Sequence, residues 1–467
     1  MNGLNRGELL LSLLLLLIVV DAGQRPPAAL GPWSEAINLA TGLRANQGHL
    51  GLRAEASRPR LLLEVDHIHL AVGDDPEKLV ISFATNRKIT APSVAIGHRK
   101  GHLFHATHVR VMEKNLFHKA GEDYKSMYYH HVEISKLNKA HVLHYYRISP
   151  EQHSNVWSGE FAFLTPRPDA SVFAILGDLG QTKYSKETLD GIRMHAAGMT
   201  NGKEQAIIDT VLIAGDLSYA DCTPADWDSW FDLVQPLTAR VPLMIAPGNH
   251  DVEDPERCSE ITGQPFESQF STFKTRFQMP NTPRGIIHKN THYDFQTGVA
   301  HVFVLCPYVP FGHGSVQYNS ISAALGRVDR QRTPWIIFMT DQPFYNSNEA
   351  HQDEPTTLRM REIFEPLFHL HRVDFVVAGH VHAYERSLPV YKGVASSKGT
   401  VYLNVGDGGN REGLAATFIE PKPAWSVFRQ ADYGFGLLSM NRTHANWTWH
   451  RDESNRFDHV VFTKGDD

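Results

Sequence analysis

Cysteine is scarce: Cys222, Cys258 and Cys306 are the only three in 467 residues. Three thiols cannot build a disulfide scaffold, and at most one pair can close within the chain. An excess of one charge is missing too. Forty-five basic side chains stand against 51 acidic ones, a net charge of −6. That leaves no basic domain of the kind that grips nucleic acid, so no nucleic-acid partner is expected. Long apolar runs are also lacking, apart from Leu9 to Val20, which only Ser12 interrupts. As a helix these residues rise about 18 Å, too short for a bilayer core of roughly 30 Å. Arg6 precedes the run, and Ala22 and Gly23 follow it. The pattern is that of a cleaved signal peptide over residues 1–22, with a signal anchor as the alternative. The C-terminal residues Phe462 to Asp467 carry neither a retention signal nor a hydrophobic tail. A secreted, extracellular protein (or a lysosomal or vacuolar one) is expected, with no stable membrane insertion after cleavage. Asn441-Arg-Thr443 and Asn446-Trp-Thr448 are glycosylation sequons and fit that route.

The balance of 42 % hydrophobic and 21 % charged residues is that of a globular chain. Its length predicts two or three domains. The abundant residue is histidine, 27 in all, the commonest metal ligand and the side chain that titrates near neutrality. Twelve of these lie between residues 59 and 168, scattered at expected strand edges and turns, where a solvated face is the expectation.

The chain changes grammar near Thr165-Pro-Arg-Pro168, which reads as a stiff linker. Before it, residues 59–165 alternate with period two. Leu79 to Thr85 places Leu79, Ile81 and Phe83 on one face. Further candidate strands are Ser93–His98, His105–Met112, Met127–Ile134, Val142–Ile148 and Trp157–Leu164. This count of short strands predicts an antiparallel β-sandwich of fibronectin type III kind. After it, over residues 170–463, apolar runs of four to six residues alternate with helical patterns, the mark of an α/β domain with strands buried on both faces. Thr223-Pro-Ala-Asp226 reads as a capping box, leading a helix with Trp227, Trp230, Phe231 and Val234 on its core face. Thr357 to Arg372 reads as another helix, with Ile363, Phe364, Leu367 and Phe368 inward.

Five of the buried runs end alike. Val172–Leu176 leads to Gly177-Asp178, Val211–Ala214 to Gly215-Asp216-Leu-Ser-Tyr219, and Leu243–Ala246 to Gly248-Asn249-His250-Asp251. Trp335–Met339 leads to Thr340-Asp341, and Phe375–Ala378 to Gly379-His380-Val-His382. Ligands of open α/β sheets bind beyond the carboxyl ends of the strands, so these residues should converge on one edge. Carboxylates, an amide, imidazoles and a phenol are hard-to-borderline donors, suited to iron, manganese or zinc. A shared carboxylate between two ions makes two-metal hydrolysis of a phosphate ester the natural chemistry.

Gly177-Asp-Leu-Gly-Gln-Thr182, Gly215-Asp-Leu-Ser-Tyr219, Gly248-Asn-His-Asp251 and Gly379-His-Val-His382 resemble the metallophosphoesterase superfamily. The tyrosine three residues after the second aspartate resembles the large purple acid phosphatases in particular, as do Tyr128-Tyr-His-His-Val132 and Tyr145-Tyr-Arg147. The resemblance implies an acid phosphatase that hydrolyses phosphate monoesters with a metal-activated hydroxide. It implies Asp178, Tyr219 and His382 on a ferric ion and Asp216 as the bridge. Asn249 and His380 would hold a second ion (ferrous iron, zinc or manganese). His250 would act on the phosphate and the leaving group, and His351 occupies a second such position. The family normally has a histidine where this chain has Asp341, which is expected to ligate the second ion and to favour manganese, magnesium or iron over zinc. The expected partner is a phosphorylated small molecule or phosphoprotein, and a homodimer is compatible with the sequence. Two rivals are a phosphodiesterase or nucleotide pyrophosphatase on the same scaffold and a metal-poor, non-catalytic relative. Substrate choice would lie in the loops Val252–Gln278 and Pro307–Ser322.

Overall fold

The structure is a computed structural model. It describes residues 65–464 apart from the short segments 90, 106–108, 112–118, 121–123, 138–140, 150–155, 198, 201–202, 205–206, 263–268, 281–289 and 452–455. The expected signal peptide lies outside the described residues.

The N-terminal part folds as two four-stranded antiparallel sheets. One orders Val65–Val72, Leu79–Thr85, Tyr128–Ile134 and Val109–Val111; the other orders Phe161–Leu164, Leu143–Ser149, Ser93–Arg99 and His102–His105. The faces turned towards each other meet through Ile68, Leu70, Ile81, Phe83, Val132, Tyr146, Ile148 and Phe163. The expected single strand His105–Met112 is two pieces, and the last strand begins at Phe161 rather than Trp157.

Alternation alone understated this region. All seven residues of Leu79–Thr85 are buried, because the second face of that sheet packs on the body that follows. Val80, Ala84, Met127 and Tyr129 belong to the same apolar core as Phe231. The expectation of solvated histidines is therefore corrected: His67, His69, His130, His131 and His144 are all buried. The ring of His67 stacks on Phe231 at 5.0 Å, and its Nδ1 pairs with the Tyr129 hydroxyl at 2.9 Å. Burial pushes the imidazoles of His69, His130 and His144 down to about 4, so they are neutral there. The linker is pinned as well, with the Arg167 guanidinium donating to Asp209 at 2.6 Å.

The larger part is two stacked mixed sheets between helical layers. The first orders Leu243–Ala246, Thr210–Ala214 and Ala170–Leu176 in parallel, then Phe435–Asn441, His444–His450 and Arg456–Thr463 antiparallel. The second has Ala300–Val304, Trp335–Thr340, Phe375–Ala378 and Thr400–Val405 in parallel at its centre. Its strands are apolar on both faces for a reason. Val302, Ile337, Met339 and Val377 fill the layer between the sheets, while Phe303, Ile336, Phe338 and Val376 face the helices Val316–Leu325 and Pro355–His371. Each such side chain contributes about 1.5–3 kcal/mol on burial.

The helix Ala225–Thr238 buries Trp227, Trp230, Phe231 and Val234 as expected, but its N-cap is Pro224 and no side chain caps it. Thr223 supplies only a backbone carbonyl, to the amide of Asp226. The true capping box is Thr182 with Ser185, at the start of Lys183–Ala196. Helices Pro255–Thr262 and Ser271–Arg276 occupy the expected loop 252–278, and Val316–Leu325 part of 307–322. Cys222 and Cys258 form a disulfide, and Cys306 is buried and free.

Candidate metal centre

The five strand ends converge as their pattern predicts, and glycines admit the three carboxylates Asp178, Asp216 and Asp341. A Cβ on Gly379 would lie 2.4 Å from Asp178 Oδ2, one on Gly248 2.1 Å from Asp216 Oδ1, and one on Gly215 1.9 Å from Asp341 Oδ1. Only glycine lets the backbone come so close. Asp178, Asp216, Tyr219 and His380 all sit at positive φ, between 50° and 68°. Non-glycine residues adopt that region at a cost and do so chiefly at functional sites.

One set of donors surrounds Asp178. The Tyr219 hydroxyl donates to Asp178 Oδ1 at 3.0 Å and lies 3.1 Å from His382 Nε2, which is itself 3.2 Å from Asp178 Oδ1. Separations near 3 Å are those of neighbouring ligands around one ion bound at about 2.0–2.2 Å. His382 Nδ1 is taken by the Gly413 carbonyl at 3.0 Å, which leaves Nε2 for the centre. Backbone amides orient the carboxylates, with His380 N donating to Asp178 Oδ2 and His250 N to Asp216 Oδ1, each at 2.7 Å.

A second set lies alongside. Ligand atoms of Asp216, Asp341 and His380 fall within 4.8 Å of one another. His380 Nδ1 is 3.5 Å from Asp341 Oδ2, while Nε2 faces Glu354 at 3.2 Å. Asp341 is completely buried, yet its Oδ1 has no hydrogen-bond partner among the described residues. A buried carboxylate oxygen without a donor is costly unless a cation meets it. The electrostatics agree. Burial, then the charges of Asp341, Asp178 and Asp251, push Asp216 well above the ordinary carboxylate range. Burial likewise raises Asp341 to about 7 and Asp251 to about 8. Burial opposes charging of His380, but Glu354 and the nearby aspartates outweigh it and lift the imidazole to about 9. The donor set and its unmet charge fit two metal ions.

His250 stands at the edge of the centre. Its ring stacks on Tyr219 at 4.2 Å, its Nδ1 pairs with Asp221 at 2.7 Å, and its Nε2 is 3.3 Å from Glu412. His351 is brought to the same edge, its ring 4.0 Å from that of His380 and its Nδ1 2.6 Å from Glu354. Asn441 is exposed at the end of the strand Phe435–Asn441, whereas Asn446 is half-buried within the strand His444–His450. Sequence reading missed Tyr308, Glu354, Asp221 and Glu412. Tyr308 had a signal, since it follows the carboxyl end of a sixth buried strand, Ala300–Val304.

The chain matches the family profiles for the purple acid phosphatase N-terminal domain over residues 65–165, calcineurin-like phosphoesterases over 171–384, and the iron/zinc purple acid phosphatase-like C-terminal domain over 399–459. It is 41 % identical to purple acid phosphatase 18 of Arabidopsis thaliana over 343 residues, 72 % of each chain. The chain belongs to the purple acid phosphatase family. Another relative, Fe(3+)-Zn(2+) purple acid phosphatase 12 of the same plant, is 36 % identical over 351 residues, 71 % of this chain and 70 % of its own. A solved purple acid phosphatase from yellow lupin (Lupinus luteus) seeds shares the fold at TM-score 0.71 and 22 % identity, covering 86 % of this chain and 74 % of that one. As a member of the family the protein is a phosphatase built around a dinuclear metal site.

Proposed function

We propose that the protein hydrolyses phosphate monoesters at acidic pH, with ferric iron held by Asp178, Tyr219 and His382. A divalent ion (ferrous iron, zinc or manganese) would be held by Asn249, His380 and Asp341, with Asp216 shared between the two sites. The observation that carries this is the Asp178–Tyr219–His382 cluster, where a phenol oxygen, a carboxylate oxygen and an imidazole nitrogen approach one another at 3.0–3.2 Å. Bound there, the two ions supply Lewis acidity towards phosphoryl oxygens and lower the pKa of water.

The chain's own groups do the rest. Asp221 holds the Nδ1 side of His250, so Nε2 is the nitrogen that can pass a proton to a departing alkoxide. Burial opposes charging of His250, but Asp221 and Glu412 raise its pKa, which keeps that proton in place under acidic conditions. His351 contributes a second donor beside His380. A relative named phosphoenolpyruvate phosphatase, from Allium cepa, is 34 % identical over 432 residues and supports a small monoester as substrate. The Cys222–Cys258 disulfide and the exposed Asn441 sequon support a secretory destination.

Metal analysis and visible spectroscopy test the reading. Purified protein should carry about two ions per chain and a visible band that Tyr219→Phe bleaches. An active enzyme without iron or colour would overturn the ferric assignment. A panel with one monoester and one diester would overturn the substrate class if the diester were preferred.

A further inference from the structure

Asp341 is the strand-end carboxylate of the second half-site, and a phenol meets it. The Tyr308 hydroxyl donates to Asp341 Oδ2 and lies 3.4 Å from Asn249 Oδ1. The same Asp341 oxygen is 3.5 Å from His380 Nδ1. Two second-ion donors from two different strand ends thus meet one hydroxyl, and a third, His380, stands beside Asp341. The arrangement parallels the other set, where the Tyr219 hydroxyl touches Asp178 and His382. Each half of the centre therefore has one strand-end carboxylate, one tyrosine hydroxyl and one imidazole of the His380-Val-His382 pair.

We propose that Tyr308 is the positioning residue of the second half-site, pinning Asp341 and Asn249 towards one ion and making that half-site selective for manganese or iron over zinc. The inference rests on the metal-centre reading above. Its physical ground is the donor count: Asp216, Asp341 and Asn249 offer oxygen and only His380 offers nitrogen. Carboxylate and carbonyl oxygens suit manganese, whereas imidazole suits zinc. A carboxylate at the end of a strand can rotate. His380 Nδ1 stands 3.5 Å from Asp341 Oδ2, but the phenol makes the closer hydrogen bond to that oxygen, and it fixes the rotamer. Groups that orient a metal ligand in this way typically govern 10–100-fold in metal affinity.

The test uses four proteins: wild type, Tyr308→Phe, Asp341→His, and the double variant. Each is loaded with ferric iron and then dialysed against manganese(II) or zinc(II), with both metals counted by elemental analysis. Tyr308→Phe should weaken manganese binding at the second site by about 10–100-fold and erase the preference over zinc. Its iron content and visible band, which depend on Tyr219, should be unchanged. In the Asp341→His background the same change should cost less than about threefold, because an imidazole does not need the phenol to place it. Unchanged manganese affinity in Tyr308→Phe would overturn the proposal. So would an equal loss in both backgrounds, which would make Tyr308 a packing residue only. Wild type that binds no ions would instead overturn the metal-centre reading itself.

Discussion

Asp178 and Asp341 both close buried strands and are both fully enclosed, yet the protein treats their oxygens differently. Asp178 has the Tyr219 hydroxyl and His382 on Oδ1 and the His380 amide on Oδ2, so both oxygens are engaged. Asp341 has Tyr308 on Oδ2 and nothing on Oδ1 among the described residues. The first half of the centre is organised by hydrogen bonds of the fold, whereas the second half is left with unmet charge. That difference says where each half should break.

The largest expected effect comes from removing what the halves share. Asp216→Ala should release both ions and lower turnover by at least the roughly 10²–10⁴ of a lost acid–base group. Elemental analysis checks it, and retention of the full visible band would show that the first half does not need the bridge. Next is His250, which leans on the first half by stacking on Tyr219 but bonds outward to Asp221. His250→Ala should cost about 10²–10⁴ in kcat with metal content unchanged. Loss of an ion in this variant would move His250 among the ligands.

The halves were not equally legible in the sequence. Asp178, Asp216, Asn249, Asp341, His380 and His382 stand out because each follows an apolar run, and five of the six follow a glycine closely. A strand buried on both faces leaves few choices for where its end points. Tyr308 trails its buried strand, Ala300–Val304, without a glycine, Glu354 only precedes a helix, and the folded chain alone shows what they lie against. The buried histidines of the N-terminal sheets were hidden for a related reason: alternation reports one face of a strand, and Val80 and Ala84 are buried on the other by a different domain. The capping box went to Thr223 because Asp226 completed the usual pattern, whereas the real box pairs Thr182 with a serine.

A smaller effect should separate the halves. Asp341→Ala should remove the second ion preferentially, lowering its affinity by more than about the 10–100-fold typical of an orienting group. Ferric iron and the visible band should remain. Asp341→His should move the divalent preference towards zinc. If Asp341→Ala left metal stoichiometry and activity untouched, the ligand assignment would fall and Oδ1 would need another explanation.

The smallest effect is a pH dependence of the metal-free protein. Burial lifts Asp341 to about 7 and Asp251 to about 8, and it lifts Asp216 well above the ordinary carboxylate value, roughly 4 in an unfolded chain. Between about pH 4 and 8 these carboxyls therefore hold protons in the folded state that the unfolded state has released. His69, His130 and His144, lowered to about 4 by burial, act the other way only below about 6.5. Stability falls as pH rises wherever the folded state binds more protons. His380, raised to about 9, acts in the same direction, since its contribution is complete below about 6.5 and is lost towards 9. Glu354, lowered to about 2 chiefly by its hydrogen bond from His380, acts oppositely but only below about 4.5. Chelator-treated protein should thus melt higher at pH 5 than at pH 8. Metal-loaded protein should lose or reverse that order, because ions bind deprotonated ligands and their affinity grows with pH. Asp341→Asn sharpens the comparison by removing a charge from the second half alone. It should flatten the metal-free slope while sparing the visible band of the iron-loaded protein. A metal-free protein as stable at pH 8 as at pH 5 would mean that the second half is not under charge strain, and that its unpartnered oxygen is not waiting for a cation.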